Sequence, residues 1–262
     1  MIDGRAIVDT SAKIGENVSI GPWSLIGPGV VIGDNVEIAS HVVIKGPTRL
    51  GNGVKVFQFA TVGEDTPALA FEGEDAFCEI GDNTVIREGV TIHRGMANGG
   101  IGRTEVGSNC LLMAYVHVGH DCIVGNHVIM ANNASLAGHV VVGDYANFGG
   151  YSGIPQFRQV GAYTHIGAMS LVLKDVPAYM TVSGNPAHAV GLNSEGMKRR
   201  GYSKDTMQAI KQAHKVVYRS GLSTKDALEQ LAQSRSDFPE VDLFASSIES
   251  SQWGILRGRG RD

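Results

Sequence analysis

The chain has little of what would cross-link it, anchor it or draw it to nucleic acid. Its cysteines number three, an odd count that forms no disulfide framework. No run of eighteen apolar residues occurs, so no membrane span is expected. The opening Met1-Ile2-Asp3-Gly4-Arg5 lacks the apolar core of a signal peptide. With unpaired thiols, these features point to a reducing cytoplasm. A net charge of −4 argues against a nucleic-acid partner. There is no Walker-type phosphate loop, no dinucleotide fingerprint and no Gly-x-Ser-x-Gly elbow. Aromatic residues are scarce at 6% of the 262 residues, whereas glycine is abundant at 35. That balance suits many turns around a narrow core.

A period of six fills the space. From Val106 a large apolar residue returns at Leu112, Val118, Val124, Met130, Leu136, Val142, Phe148, Ile154, Val160, Ile166 and Val172. Two residues before these positions the side chains are small or β-branched, as at Cys110, Val116, Cys122, Val128, Ala134, Val140, Ala146 and Ser152. Six is too long for one strand and does not fit a helix. It fits a short strand plus a tight turn, three of which close a triangular coil of about eighteen residues, with coils stacked at roughly 4.8 Å. Both columns then face inward, which makes Cys110 and Cys122 buried small hydrophobes. The same period runs from Ile2 to Val62.

Two stretches break the pattern, near 63–78 and near 95–104, where the phase shifts by two. Long loops in a regular solenoid tend to be functional. The repeats predict a β-helix over 1–190 and a helical domain over 191–262. Asn193 or Ser194 caps a helix through Arg200, Ser203 one to about Arg219, and Ser223 one to about Ser234. Met207, Ile210, His214, Val217 and Tyr218 form the inner stripe of the second helix, with Lys204, Lys211 and Lys215 opposite. The tail Arg257-Gly258-Arg259-Gly260-Arg261-Asp262 reads as frayed. End coils and flat faces invite oligomerisation.

Histidine placement carries the chemistry. Stacking by eighteen puts His120 beneath Gly138, and Gly138 beneath Gln156. An imidazole takes a proton near neutral pH. A glycine lets a carbonyl oxygen approach its backbone N–H. Asp121 is placed to orient His120, although neighbours on a strand point apart. A surface histidine ladder explains the same spacing. So does metal binding by histidines drawn from His93, His117, His120, His127 and His139, though no pair there has an obvious ligand geometry, and no metal is expected. His41, His127 and His165 read as solvated turn residues.

Three segments sharpen the choice: Ile86-Arg87-Glu88-Gly89-Val90-Thr91-Ile92-His93-Arg94-Gly95, Ala131-Asn132-Asn133-Ala134-Ser135-Leu136-Ala137-Gly138-His139, and Asn193-Ser194-Glu195-Gly196-Met197-Lys198-Arg199-Arg200-Gly201. With His117-Val118-Gly119-His120-Asp121-Cys122, and over nearly its whole length, the chain resembles the bacterial acyl-carrier-protein–UDP-N-acetylglucosamine O-acyltransferases that open lipid A biosynthesis. The resemblance implies a left-handed parallel β-helix with a C-terminal α-helical domain, assembled as a homotrimer with sites between subunits. It implies His120 as general base on the sugar 3-hydroxyl, Asp121 as its support and Gly138 N–H as the oxyanion donor. His117, His139, Gln156, Asn193, Glu195, Arg199 and Arg200 match positions that bind the UDP-sugar or shape the site. The helical domain would receive acyl carrier protein, whose thioester is the co-substrate; no cofactor is implied. Ala168 stands where long-chain relatives often have glycine, which shortens the acyl pocket. Ala68 and Ala70 replace an acid and a lysine that touch the sugar nucleotide in relatives, and Pro155 replaces a histidine. These departures keep open a different acceptor, such as a 3-amino UDP sugar. A metal-dependent or non-enzymatic trimer is the remaining alternative.

Overall fold

The computed structural model describes residues 1–259. Strands of mostly two residues wind into a three-sided prism whose faces are sheets of eight, eight and ten strands, parallel throughout except for the last strand of the ten. We number the faces in the order the chain meets them, so that Ile7–Val8, Lys13–Ile14 and Ser19–Ile20 open the first, second and third. Away from two excursions and the end of the prism, each strand residue pairs with the one eighteen further on, as in His117↔Ser135↔Gly153 and Val118↔Leu136↔Ile154. The six-residue period is therefore one face plus one corner.

Both predicted columns point inward. Leu112, Val118, Met130, Leu136 and Ile166 are fully buried, and Cys110, Cys122, Val128 and Ala134 fill the small column beside them. Each large aliphatic side chain so buried contributes about 1.5–3 kcal/mol. Burial pushes the Cys122 thiol up to about 12, so it behaves as an inert packing group. Hydroxyls in the small column mostly find backbone partners, as where Thr84 Oγ1 donates to Gly107 O and accepts from Cys110 N; buried Thr164 Oγ1 is the exception. Ile2 stays half exposed because no coil lies beneath the first.

Corners turn through left-handed residues stacked one coil apart. At the edge between the second and third faces these include Asn17, Asn35 and Asn83 in the lower coils and Asn109, His127, Tyr145, Tyr163 and Tyr179 above. The aromatic members form a ladder, with ring centroids 4.6 Å apart for His127–Tyr145, 4.9 Å for Tyr145–Tyr163 and 5.3 Å for Tyr163–Tyr179.

Both excursions leave from one edge, between the first and second faces. The first connects strand Thr61–Glu64 to Phe77–Ile80, and the second connects Thr91–His93 to Arg103–Val106. The register of 18 (Ile32↔Leu50) becomes 30 (Leu50↔Ile80) and then 26 (Ile80↔Val106). Thus 30 against 18 leaves 12 added residues, and 26 against 18 leaves 8. The core columns continue undisturbed on either side. Pro155 follows strand Gly153–Ile154, the last of the first face. Above it only an isolated bridge, Gly153 to Leu171, continues this face, so the proline stands where the ladder ends.

The prism ends in an antiparallel hairpin, Met180–Gly184 with Ala187–Leu192, whose second strand spans the expected boundary at 190/191. Five helices follow: α1 (Ser194–Arg199), α2 (Lys204–Arg219), α3 (Thr224–Gln230), α4 (Ala232–Asp237) and α5 (Pro239–Glu249). Asn193, Ser203 and Ser223 cap the first three through their side chains. The single helix expected from Ser223 to Ser234 is instead two, separated at Leu231, and α5 was not anticipated. Ile210, Ala213, His214 and Val217 of α2 pack inward. Buried Asp175 ties the helices to the prism by accepting from Ser251 Oγ and Gln159 N, and Ser247 Oγ accepts from Ala178 N. The tail is anchored rather than frayed at Arg257, whose guanidinium donates to Val217 O and Thr224 Oγ1; residues 260–262 lie outside the described part. No helix among the described residues is long and apolar enough to cross a membrane.

Candidate active site

His120 follows strand His117–Val118 at the edge that carries the excursions. It sits in a turn rather than a strand, and Asp121 beside it adopts φ +58°. The left-handed turn swings the Asp121 side chain back onto its neighbour, which a strand would not allow. His120 Nδ1 lies 2.8 Å from Asp121 Oδ2, with the imidazole 10% exposed and the carboxyl fully buried.

That carboxylate is heavily solvated by backbone. It accepts from Met96 N (3.1 Å), Ile101 N (2.9 Å) and Gly102 N (3.1 Å), all in the second excursion. Asp121 N–H donates to Thr104 Oγ1 at 2.8 Å. With these donors converging on it, the carboxylate can only accept from His120. The imidazole proton therefore resides on Nδ1, and Nε2 presents its lone pair.

Nε2 faces Gly138 one coil above. A Cβ on residue 138 would lie 2.5 Å from Nε2, so only glycine leaves room for the ring. The Gly138 N–H donates to no protein acceptor among the described residues. His139 closes the far side, edge-on to His120 at 4.8 Å and stacked on Phe157 at 4.4 Å. Burial lowers its pKa, Asp121 opposes that, and His120 adds to it.

His117 and His93 continue the cluster on the first face. His117 Nδ1 and Thr91 Oγ1 are 2.8 Å apart, and His93 Nδ1 donates to Asp65 O of the first excursion. Burial first, then His93 and His120, depresses His117 to about 4, so it is neutral at physiological pH. Gln156 is exposed at the same edge one coil above Gly138. His127 belongs to the other edge, stacked on Tyr145. His165 is a strand residue on the third face, not a turn residue. His120, Asp121 and His139 bring three potential ligand atoms within 4.8 Å, but Asp121 is already committed to His120 and three N–H groups.

The remaining expected residues lie elsewhere in the chain. Asn193 caps α1 and donates from Nδ2 to Tyr163 O. Glu195 pairs with Arg199 at 3.2 Å, and the Arg200 guanidinium lies 3.8 Å over the Tyr145 ring. Together they line a groove of about 720 Å³ on the third face with Asn147, His165 and Thr181. Ala168 is exposed at the edge between the third and first faces, packed over Gly149. Among the described residues no hydrogen bond, ion pair or ring contact joins the His120 group to the Arg200 group. The sequence reading missed Thr104, the loop N–H groups and Tyr145. Thr104 was findable, since a hydroxyl in the inward small column needs a partner.

The chain as a whole is similar to known proteins. A family model described as Udp N-acetylglucosamine O-acyltransferase, Domain 2, matches residues 175–256, and a bacterial transferase hexapeptide model matches residues 11–46 and 103–138. The chain is 51% identical over 257 residues to the acyl-[acyl-carrier-protein]–UDP-N-acetylglucosamine O-acyltransferase of Stutzerimonas stutzeri, covering 98% of this chain and 99% of that one. It is 52% identical over the same shares to that of Azotobacter vinelandii. The solved UDP-N-acetylglucosamine acyltransferase of Francisella novicida superposes with a TM-score of 0.96 at 41% identity, covering 99% of this chain and 95% of that chain. The fold is thus a left-handed parallel β-helix with C-terminal helices, and the chain belongs to the acyl-[acyl-carrier-protein]–UDP-N-acetylglucosamine O-acyltransferase family.

Proposed function

We propose that this chain moves a 3-hydroxyacyl group from acyl carrier protein to the 3-hydroxyl of UDP-N-acetylglucosamine, the first step of lipid A biosynthesis, in the cytoplasm. The observation that carries the reading is His120, with Nδ1 bound to Asp121 and Nε2 open toward Gly138. Nε2 takes the proton of the sugar hydroxyl as the oxygen attacks the thioester carbonyl. The tetrahedral oxyanion accepts from Gly138 N–H. The carbon–sulfur bond then breaks, and the imidazolium returns its proton to the departing thiolate. Asp121 keeps the tautomer and stabilises the imidazolium between the two transfers.

His117, His139 and Gln156 flank the base, whereas Asn193, Glu195, Arg199 and Arg200 line the groove on the third face. One site holding both groups requires two copies of the chain, which supports a homotrimer with sites between neighbouring prisms. Ala168, at the third edge, lies along the acyl path and shortens it. A groove of about 660 Å³ against α1 and α2 carries Lys198, Lys204, Lys211, Lys215 and Arg219, a basic surface for the acidic carrier protein.

The test is product mass by mass spectrometry, with 3-hydroxyacyl carrier proteins of several lengths and a panel of UDP sugars, beside His120→Ala. Acylated UDP-N-acetylglucosamine made by the parent and not by the variant is the expected result. Product from a 3-amino analogue alone would overturn the acceptor and trace the change to Ala68, Ala70 and Pro155. Near-full activity of His120→Ala would overturn the base.

A further inference from the structure

We infer that the second excursion, residues 95–104, is a backbone cradle that positions the catalytic dyad, with Gly100 as its key positioning residue. The inference rests on the reading of His120 as the base. Three loop N–H groups converge on the Asp121 carboxylate, from Met96, Ile101 and Gly102. The loop closes on itself through Gly102 N to Met96 O at 2.8 Å, so these donors form one unit. The carboxylate reaches so far into the loop that a Cβ on residue 100 would lie 2.4 and 2.5 Å from its oxygens. Gly100 has no left-handed φ, so its glycine is required by close approach and not by backbone conformation: the carboxylate lies on one side, and the Met96 carbonyl oxygen of the loop itself would lie 2.5 Å from the same Cβ. Thr104, where the chain rejoins the prism, fixes the Asp121 main chain by accepting its N–H.

The consequence is geometric. His120 has one side-chain hydrogen bond, to Asp121 Oδ2. Asp121 is in turn held by the loop. The direction of Nε2 toward Gly138 is thus set by eight inserted residues and not by the regular coil. The Asp121 oxygen opposite Nδ1 accepts from it, which fixes the imidazole proton on Nδ1. The loop acts through Asp121 alone, so its effect should vanish when that carboxylate is gone.

The experiment is a double-mutant cycle on the full-length enzyme, measuring kcat and KM for UDP-N-acetylglucosamine in the parent, Gly100→Ala, Asp121→Ala and the double variant. Asn98→Ala, an exposed change in the same loop, serves as the control, and nitrogen NMR of labelled histidine reports the His120 tautomer. The added methyl should displace the carboxylate by an ångström or so and lower kcat about 10- to 100-fold, with KM within about twofold. In the Asp121→Ala background it should cost nothing further. The Nδ1–H tautomer of His120 should lose population in Gly100→Ala and not in Asn98→Ala. An unchanged kcat, a loss confined to KM, or losses that multiply in the double variant would each overturn the inference. If circular dichroism shows Gly100→Ala unfolded, Thr104→Val takes its place in the same cycle. A dead His120→Ala beside an unimpaired Gly100→Ala would sink the cradle and leave the base; an active His120→Ala would sink the base itself.

Discussion

All three edges of the prism carry left-handed residues one coil apart, yet two of them hold opposite kinds of side chain. The edge between the second and third faces repeats without interruption through His127, Tyr145, Tyr163 and Tyr179, and like rings stack on like. The edge between the first and second faces is broken by two insertions, and there a histidine, a buried carboxylate, a glycine and three loop N–H groups meet. A strict repeat places similar environments above one another. The repeat stacks His120 under Gly138, and the interruption adds the loop N–H donors that the repeat does not supply.

The largest effect expected is at the interrupted edge. His120→Ala should lower kcat by about 10²–10⁴-fold. Because among the described residues the ring has one side-chain hydrogen bond, to Asp121, and lies outside the aliphatic core, the melting temperature should move little, as calorimetry would show. A collapse in stability comparable to that of a core variant would erase the distinction between the edges.

The interior shared by both edges gives the next effect, of the other kind. Leu136→Ala empties a fully buried site and should cost about 2–5 kcal/mol in denaturant unfolding. The folded fraction should keep its tautomer and its KM. A variant that lost activity without losing stability would place the chemistry in the core instead.

Acid should act on the histidine edge through His117, whose folded pKa of about 4 lies below its ordinary value of 6.5. The unfolded chain binds the proton more readily between those values. Stability is therefore complete above about pH 6.5 and falls as pH drops toward 4. His214, also depressed to about 4 by burial and then by Arg219, adds to the slope. His117→Asn should flatten the decline of melting temperature across this window relative to the parent, and an unchanged slope would remove His117 from the account.

The uninterrupted edge gives the smallest effect. Tyr145→Leu removes the ring under Arg200 and should raise KM for UDP-N-acetylglucosamine about 2- to 5-fold, the equivalent of an exposed cation–π contact. A large fall in kcat instead would mean that this edge, too, takes part in proton transfer.

Much of this was legible beforehand because one residue in six falls in one buried column. Val118, Leu136 and Ile154 could be aligned by counting, and the same count placed His120 under Gly138. What counting could not reach depends on chain that leaves the lattice. The donors to Asp121 sit 25, 20 and 19 residues before it, offsets that no period generates. The expectation that Asp121 and His120 point apart assumed a strand, and the left-handed turn reverses it. Helix α5 begins at Phe238 without a side-chain cap, so no Ser, Thr or Asp marked it. Its buried Val241, Phe244, Ala245 and Ile248 nevertheless repeat at helical spacing, with Pro239 in the first turn.

The insertions of 12 and 8 residues return to the same columns they left. A defect in this lattice is therefore local: it adds reach at one edge while every coil above and below keeps its register. Loop length and loop composition can vary there without renegotiating the interior, because the prism transmits neither strain nor phase across a closed coil. Stability is written along the axis and selectivity beside it, and the two can change independently within one chain.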